Sequence, residues 1–230
     1  MKQRVKNFLK QIPIISGLFR RYAGIPHGPR GVLKVGHRDY VGGLWEELGG
    51  LQFDFLIREG LKPHHYLLDI GCGSLRAGVH FIPYLDPGHY LGIDKEKSLI
   101  WSGLEHELND TLLVEKHPIL IVSECFEFSR LGTRPDYALA QSVFTHLPPG
   151  KIHECFRKLR LVVRDSGRFL ATYFETDQLV ENPRLPHDHA RFEYTRAQIE
   201  EFGRLNGWKA EYVGDWNHPR GQVIVRYLPN

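Results

Sequence analysis

Stretches typical of strands alternate with stretches typical of helices between residues 66 and 228, and this alternation constrains the fold more than any other feature. Runs of apolar or β-branched residues predict seven strands, namely Tyr66–Ile70, His89–Ile93, Pro118–Ser123, Asp136–Ala140, Arg168–Phe174, Lys209–Trp216 and Gln222–Leu228. Apolar residues at helical spacing predict four helices, at about 43–59, 100–108, 152–163 and 195–207. The pattern predicts an α/β fold, a doubly wound, mostly parallel seven-stranded sheet with helices on both faces.

The last two predicted strands are joined by only five residues, 217–221. A parallel crossover needs a much longer connection, so this pair is predicted to be antiparallel.

The charge of the chain is unevenly distributed. Residues 1–38 carry nine of the 30 Lys and Arg and none of the 27 acids, so the first part is +9 and the remainder −6. Within residues 1–22 the apolar positions follow helical spacing among lysines, which predicts a basic amphipathic segment suited to peripheral contact with an anionic inner membrane face. A frayed terminus, or a helix packed on the body, is the alternative.

Chain breakers at 24–31 predict a linker and hence two parts, a basic amphipathic tail with its linker at 1–31 and a domain at 32–230. The acidic charge of that domain argues against a nucleic-acid partner. The three cysteines form no Cys-x-x-Cys pair, and no secretory signal or membrane-spanning run is found, so a cytoplasmic setting is expected.

The loop after the first predicted strand carries the strongest motif. It reads Leu68-Asp69-Ile70-Gly71-Cys72-Gly73, in which glycines allow a sharp bend and close approach of a ligand to the backbone. The second strand ends in Asp94, where a carboxylate can accept hydrogen bonds from both hydroxyls of a ribose. A nicotinamide-dinucleotide fingerprint would place a third glycine at position 76, which is Arg76. The pair of motifs therefore predicts a nucleoside site and disfavours a nicotinamide oxidoreductase.

With these motifs, the chain over about 43–228 resembles the class I S-adenosylmethionine-dependent methyltransferases. Asp69, Gly71 and Gly73 match that family's acid-x-Gly-x-Gly-x-Gly motif, and Asp94 matches its ribose-binding acid. Leu75 stands where the family often has a third glycine. The resemblance implies S-adenosylmethionine as cofactor, an antiparallel last strand beside the fifth, and Cys72 within the cofactor-binding turn.

The resemblance also assigns roles to the later strand ends. Cys125 and Phe126 are expected to contact the adenine, with core packing as the alternative. Gln141, at the end of the fourth strand, is expected to face the cofactor and the acceptor. His146 is the candidate base, and a histidine capping or packed beneath the next helix is the alternative.

Two further segments are expected near the pocket. The polar stretch 176–193 is long enough to arch over it, and its His187-Asp188-His189 offers an alternative base but falls short of a metal site, so no metal is expected. The loop holding His218 and Arg220 either reaches the substrate side or only shapes a hairpin.

The sequence therefore predicts an O-methyltransferase acting on a small molecule or glycan, with protein or nitrogen acceptors as open alternatives. Two rival functions remain, a nicotinamide-dependent oxidoreductase and a non-catalytic, membrane-tethered binding module of the same fold. No oligomeric state is predicted.

Overall fold

The computed structural model describes residues 25–230, and the basic segment at 1–22 lies outside them. Residues 25–230 contain eight α-helices, α1 (Pro29–Val35), α2 (His37–Tyr40), α3 (Trp45–Arg58), α4 (Gly78–Tyr84), α5 (Lys97–His106), α6 (Asp110–Lys116), α7 (Pro149–Arg160) and α8 (Arg196–Arg204). The same part of the chain contains eight strands, β1 (Leu67–Ile70), β2 (Tyr90–Asp94), β3 (Ile119–Val122), β4 (Tyr137–Ala140), β5 (Arg168–Glu175), β6 (Glu193–Tyr194), β7 (Trp208–Asp215) and β8 (Val223–Pro229). Short 3-10 helices occupy Phe128–Leu131 and Phe144–His146.

The main sheet has the strand order β3-β2-β1-β4-β5-β8-β7. Strands β1 to β5 pair in parallel, and β8 runs antiparallel to both β5 and β7. The predicted α/β fold with an antiparallel end is thus confirmed. The two-residue β6, which pairs in parallel with the end of β5, was not predicted.

Helices cover both faces because side chains alternate along each strand. In β1, Leu68 and Ile70 join an apolar cluster that includes Phe156 of α7, whereas Leu67 joins a second cluster with Phe55 of α3. The two clusters lie on opposite faces of the sheet, and its carboxyl edge stays available for a ligand.

The helix predicted to begin at Thr195 has its expected cap. The Thr195 hydroxyl accepts from the backbone N–H of Gln198 at 3.2 Å, and the Gln198 side chain accepts from the Thr195 N–H at 3.0 Å. This reciprocal pair is a capping box, which fixes where α8 begins.

The part of the predicted linker that the structure describes is folded against the body. Pro29 begins α1, where a missing N–H is tolerated, and His27 lies 3.0 Å from Asp188 in the distant 176–193 loop. The domain boundary at residue 31 stays a prediction. Within residues 25–230 no helix is both long and apolar enough to cross a membrane.

Candidate functional site

A cavity of about 910 Å³ opens at the carboxyl edge of the parallel strands. The ends of β1, β2 and β4 line it, together with residues 40–42 and 186–191. This edge is where doubly wound sheets bind ligands, and the volume lies near the top of the roughly 300–1,000 Å³ range of ligand pockets. The cavity therefore has room for a nucleoside cofactor and a second molecule.

The turn after β1 requires glycine at two positions. Gly71 and Gly73 have φ angles of 72° and 53°, which L side chains rarely adopt. A Cβ at Gly71 would lie 2.6 Å from Val143 Cγ2, and one at Gly73 would lie 3.0 Å from Val41 Cγ1. The two glycines let the segment after β4 and the segment before α3 close on the turn.

Leu75, at the position where the family often has a third glycine, has a left-handed backbone conformation. Its φ is 67°, and its side chain is fully buried. A Cβ added to Gly78 would lie 3.0 Å from Leu75 Cβ, and one added to Gly103 would lie 2.9 Å from Leu75 Cγ. Glycines on α4 and α5 thus make the space that the leucine fills, which explains how the turn accommodates this departure from the motif.

The two strand-end acids lie at one site. Asp94 Oδ2 accepts from the Gly73 N–H at 2.9 Å, and its Oδ1 accepts from the Glu96 N–H at 2.8 Å. Burial raises the pKa of Asp94, while these two N–H groups act in the opposite direction. The carboxylate therefore joins the end of β2 directly to the glycine turn.

Asp69 is buried beneath the turn, where its Oδ2 accepts from the Tyr90 hydroxyl at 2.7 Å. Burial raises the pKa of Asp69 to about 6, although the Tyr90 hydrogen bond lowers it. A cationic partner in the cavity would therefore stabilise the ionised form of Asp69.

Three further residues that are predicted to contact the cofactor line the cavity in different environments, namely Cys72, Cys125 and Phe126. Cys72 is buried, and burial raises its thiol pKa well above the usual value, so it stays protonated. Cys125 is exposed, whereas Phe126 is half-buried with its ring centroid 5.8 Å from that of Phe128. Phe126 packs partly against the apolar cluster that contains Phe128, which is the core packing given as its alternative, and the contact of both residues with adenine stays a prediction.

Gln141 belongs to a buried polar network at the end of β4. Its Oε1 accepts from Arg76 Nη2 at 2.8 Å, and its Nε2 donates to Ser142 Oγ at 2.8 Å. The same Nε2 lies 3.2 Å from His218 Nε2. Burial, followed by the charges of Arg220 and Arg76, lowers the pKa of His218 to about 4. The network fixes the orientation of the Gln141 amide at the cavity wall.

His146 is held by the 176–193 loop. Its Nδ1 lies 3.1 Å from the carbonyl oxygen of His187 and 3.0 Å from that of Ala190. Carbonyls only accept, so Nδ1 carries the proton and the lone pair of the neutral ring is at Nε2. Burial lowers the pKa of His146 to about 4, which keeps it neutral at pH 7. The ring anchors the loop through Nδ1, and His146 lines the cavity as a neutral imidazole.

The 176–193 loop is fastened at Asp188, whose carboxylate pairs with Lys95 and lies 3.0 Å from His27 Nδ1. It also accepts from the Tyr40 hydroxyl at 3.1 Å. Burial favours the neutral acid, but the hydrogen bond and charge of Lys95 outweigh it and hold the pKa of Asp188 well below its usual range. Among residues 25–230 no group of three or more His, Cys, Asp and Glu side chains is arranged to hold a metal ion.

Lys95 and the segment Val41–Gly43 border the site, and sequence reasoning missed both. Lys95 follows the predicted Asp94 directly, which is the one signal that pointed to it. Arg76 Nη1 donates to the carbonyl oxygens of Val41 and Gly43 at 3.1 and 3.0 Å, and no local sequence pattern predicts these contacts.

No protein-family model matches the chain. Magnesium protoporphyrin IX methyltransferase from Synechocystis PCC 6803, solved with bound S-adenosylmethionine, aligns over 100% of this chain and 97% of its own, at 15% identity and a TM-score of 0.61. The DhpI complex with S-adenosylhomocysteine aligns over 94% and 98%, at 13% identity and a TM-score of 0.62.

A third solved structure, the glycopeptide N-methyltransferase MtfA complexed with S-adenosylmethionine, aligns over 79% of this chain and 94% of its own, at 11% identity and a TM-score of 0.60. The strand order and these similarities lead to one conclusion. The chain has the fold of the class I S-adenosylmethionine-dependent methyltransferases.

Proposed function

We propose that this protein is an S-adenosylmethionine-dependent methyltransferase. The observation that carries the proposal is the hydrogen bond from the Gly73 N–H to Asp94, since it brings the acid that we propose binds ribose to the glycine turn at one cavity wall. Proteins of the same fold solved with S-adenosylmethionine or S-adenosylhomocysteine support this assignment.

The residues present fit that cofactor. Gly71 and Gly73 leave the turn free of side chains, and Asp94 has accepting capacity beyond its two N–H donors for ribose hydroxyls. Asp69 offers a buried carboxylate to the amino group. The remaining cofactor contacts are assigned to Cys72, Cys125, Phe126 and Gln141. The cofactor supplies a methyl group on a sulfonium, an activated electrophile.

We assign to His146 the role of base for an oxygen acceptor. Its Nε2 is unprotonated at pH 7 and accepts the proton of an acceptor hydroxyl. The low pKa also makes the imidazole a weak base, so its contribution falls toward the low end of the roughly 10²–10⁴-fold range. Holding the acceptor in line with the methyl group supplies the larger share.

The acceptor is proposed to be a small molecule or a glycan that is methylated on oxygen. A cavity of about 910 Å³, lined in part by residues 186–191 of the polar loop, supports an acceptor of that size beside the cofactor. Nitrogen is the alternative acceptor atom, because MtfA, which shares the fold, is an N-methyltransferase.

The test is an assay with methyl-labelled S-adenosylmethionine and a panel of phenols, sugars and amines. Labelled product and S-adenosylhomocysteine are measured together by mass spectrometry. Transfer to hydroxyl acceptors supports the proposal. Transfer only to amines would show that the acceptor atom is nitrogen and not oxygen. A purified protein that binds no S-adenosylmethionine contradicts it.

The basic segment 1–22 is proposed to touch anionic lipid, with a cytoplasmic location for the domain beginning at residue 32. Its composition supports this, since the first 38 residues contain nine Lys and Arg and no acid. The variant Lys2→Glu, Lys6→Glu and Lys10→Glu in the full chain should lose co-sedimentation with anionic vesicles. Equal sedimentation of the two proteins would contradict the proposal.

A further inference from the structure

Arg220 differs from three other cations that line the cavity. Each of those three has a carboxylate partner: Lys95 pairs with Asp188, Lys151 with Glu154, and Arg191 with Glu193. The guanidinium of Arg220 donates from Nη2 to the Gly42 carbonyl oxygen, and no carboxylate within residues 25–230 lies at ion-pair distance from it. Its positive charge is therefore not compensated by the protein at this wall.

The loop that carries Arg220 is firmly positioned. It joins β7 to β8, and Gln222 at its end donates to Ser142 Oγ at 2.7 Å and accepts from Thr172 Oγ1 at 2.7 Å. The backbone N–H of Arg220 donates to His218 Nδ1 at 3.2 Å. These bonds fasten the loop to Ser142, just after β4, and to Thr172, within β5. In the strand order, β4 and β5 lie on the opposite side of β1 from β2 and Asp94, where the nucleoside is proposed to bind.

The surroundings of Arg220 are electropositive. Arg76 and His218 both contact the Gln141 side chain, and after burial the charges of Arg220 and Arg76 lower the pKa of His218, which keeps that imidazole neutral. Arg76 interacts electrostatically with Asp69, which also accepts from Tyr90. An anionic ligand group would compensate the charge, and a guanidinium matches the two oxygens of a carboxylate.

We infer that Arg220 is a carboxylate-binding residue of this cavity. The inference rests on the proposed function only for the source of the carboxylate, which is either the acceptor or the amino-acid end of the cofactor. Its position on the β7–β8 loop, beside the ends of β4 and β5, favours the acceptor.

The experiment compares wild type with Arg220→Gln, Arg220→Lys and the exposed control Arg157→Gln. Calorimetry in one arm measures the affinity for S-adenosylhomocysteine and for 5′-methylthioadenosine, which lacks the amino-acid part. A second arm titrates benzoate, and the neutral isostere benzamide, into protein with and without S-adenosylhomocysteine at constant ionic strength.

Arg220→Gln should weaken carboxylate binding by about tenfold to a hundredfold, the range of hydrogen bonds to charged groups, with partial recovery in Arg220→Lys. A loss for benzoate but not benzamide assigns the carboxylate to the acceptor. A loss for S-adenosylhomocysteine but not 5′-methylthioadenosine assigns it to the cofactor.

The inference is overturned if Arg220→Gln changes neither the affinity for S-adenosylhomocysteine nor that for benzoate by more than about twofold. Absence of benzoate binding to wild type, together with an unchanged S-adenosylhomocysteine affinity in the variant, overturns it as well. A wild type that binds neither nucleoside contradicts the proposed function instead, while the benzoate titration still tests Arg220.

Discussion

Binding of the cofactor should release a proton from Asp69. Burial holds the pKa of this carboxyl at about 6 in the ligand-free protein. A cationic amino group beside it would return the pKa to its ordinary value near ~4, so about half a proton per molecule should leave at pH 6, and only about a tenth at pH 7.

The same shift predicts how Asp69→Asn changes stability. A carboxyl group whose pKa is higher in the folded than in the unfolded state stabilises the folded state while it is protonated. This contribution is complete below the pKa of the unfolded state and is lost as the pH rises through about 6, the pKa of Asp69 in the folded protein. A shift of two units corresponds to roughly 3 kcal/mol. Asp69→Asn should therefore raise the free energy of unfolding of the ligand-free protein by about 1–3 kcal/mol at pH 7, while weakening cofactor binding.

Calorimetric titration with S-adenosylhomocysteine at pH 6, in buffers of different ionisation enthalpy, measures the released proton. His146 and His218 have pKa values of about 4, so they are neutral at this pH and do not contribute. Asp69→Asn should abolish the release, and the exposed control Asp165→Asn should retain it. An observed enthalpy that is the same in every buffer for wild type would refute the reasoning, as would equal release from Asp69→Asn.

Three further outcomes are expected. His146→Gln should lower the methyl-transfer rate by about 10²-fold, the low end of the range for a general base, without changing the affinity for S-adenosylhomocysteine. Wild-type activity should persist on acidification until the pH nears the His146 pKa of about 4, and a loss of activity near pH 6.5 would contradict this. Asp188→Asn removes the ion pair with Lys95, so hydrogen exchange of 186–190 should accelerate, and unchanged exchange would argue against that contact. Leu75→Gly relieves the strain of a positive φ, about 1–2 kcal/mol, but removes a buried leucine side chain worth about 2–5 kcal/mol. Chemical denaturation should therefore show a lower free energy of unfolding, and a higher one would contradict the packing.

The strands and their directions could be predicted because each is a compact apolar run with a turn signal at its end. The five-residue connection at 217–221 was enough to make β7 and β8 antiparallel. The position of β8 between β5 and β7 came from the family resemblance, because periodicity says nothing about strand order. Helix α1 was missed because Pro29 and Gly31 suggest a linker, although proline is well tolerated at a helix start.

The glycine turn and Asp94 were found in the sequence because each follows directly from a strand end. The hydrogen bond that joins them, from the Gly73 N–H to Asp94, depends on the tertiary structure, which the sequence pattern does not give. The contact between Asp188 and His27 spans 161 positions, and no local pattern encodes such a pairing. The same holds for the approach of Arg220 to Gly42, 178 positions away. Chemistry at strand ends was therefore predictable, whereas the elements that cover the cavity were not.

The most direct test of the central claim is calorimetric titration of the purified protein with S-adenosylhomocysteine, comparing wild type, Asp94→Asn and the control Asp165→Asn. We expect one bound molecule per chain for wild type and the control. Asp94→Asn should lose about a hundredfold or more in affinity, because two hydrogen bonds from ribose to a charged acceptor are weakened. No binding to wild type, or equal affinity in Asp94→Asn, would contradict the account.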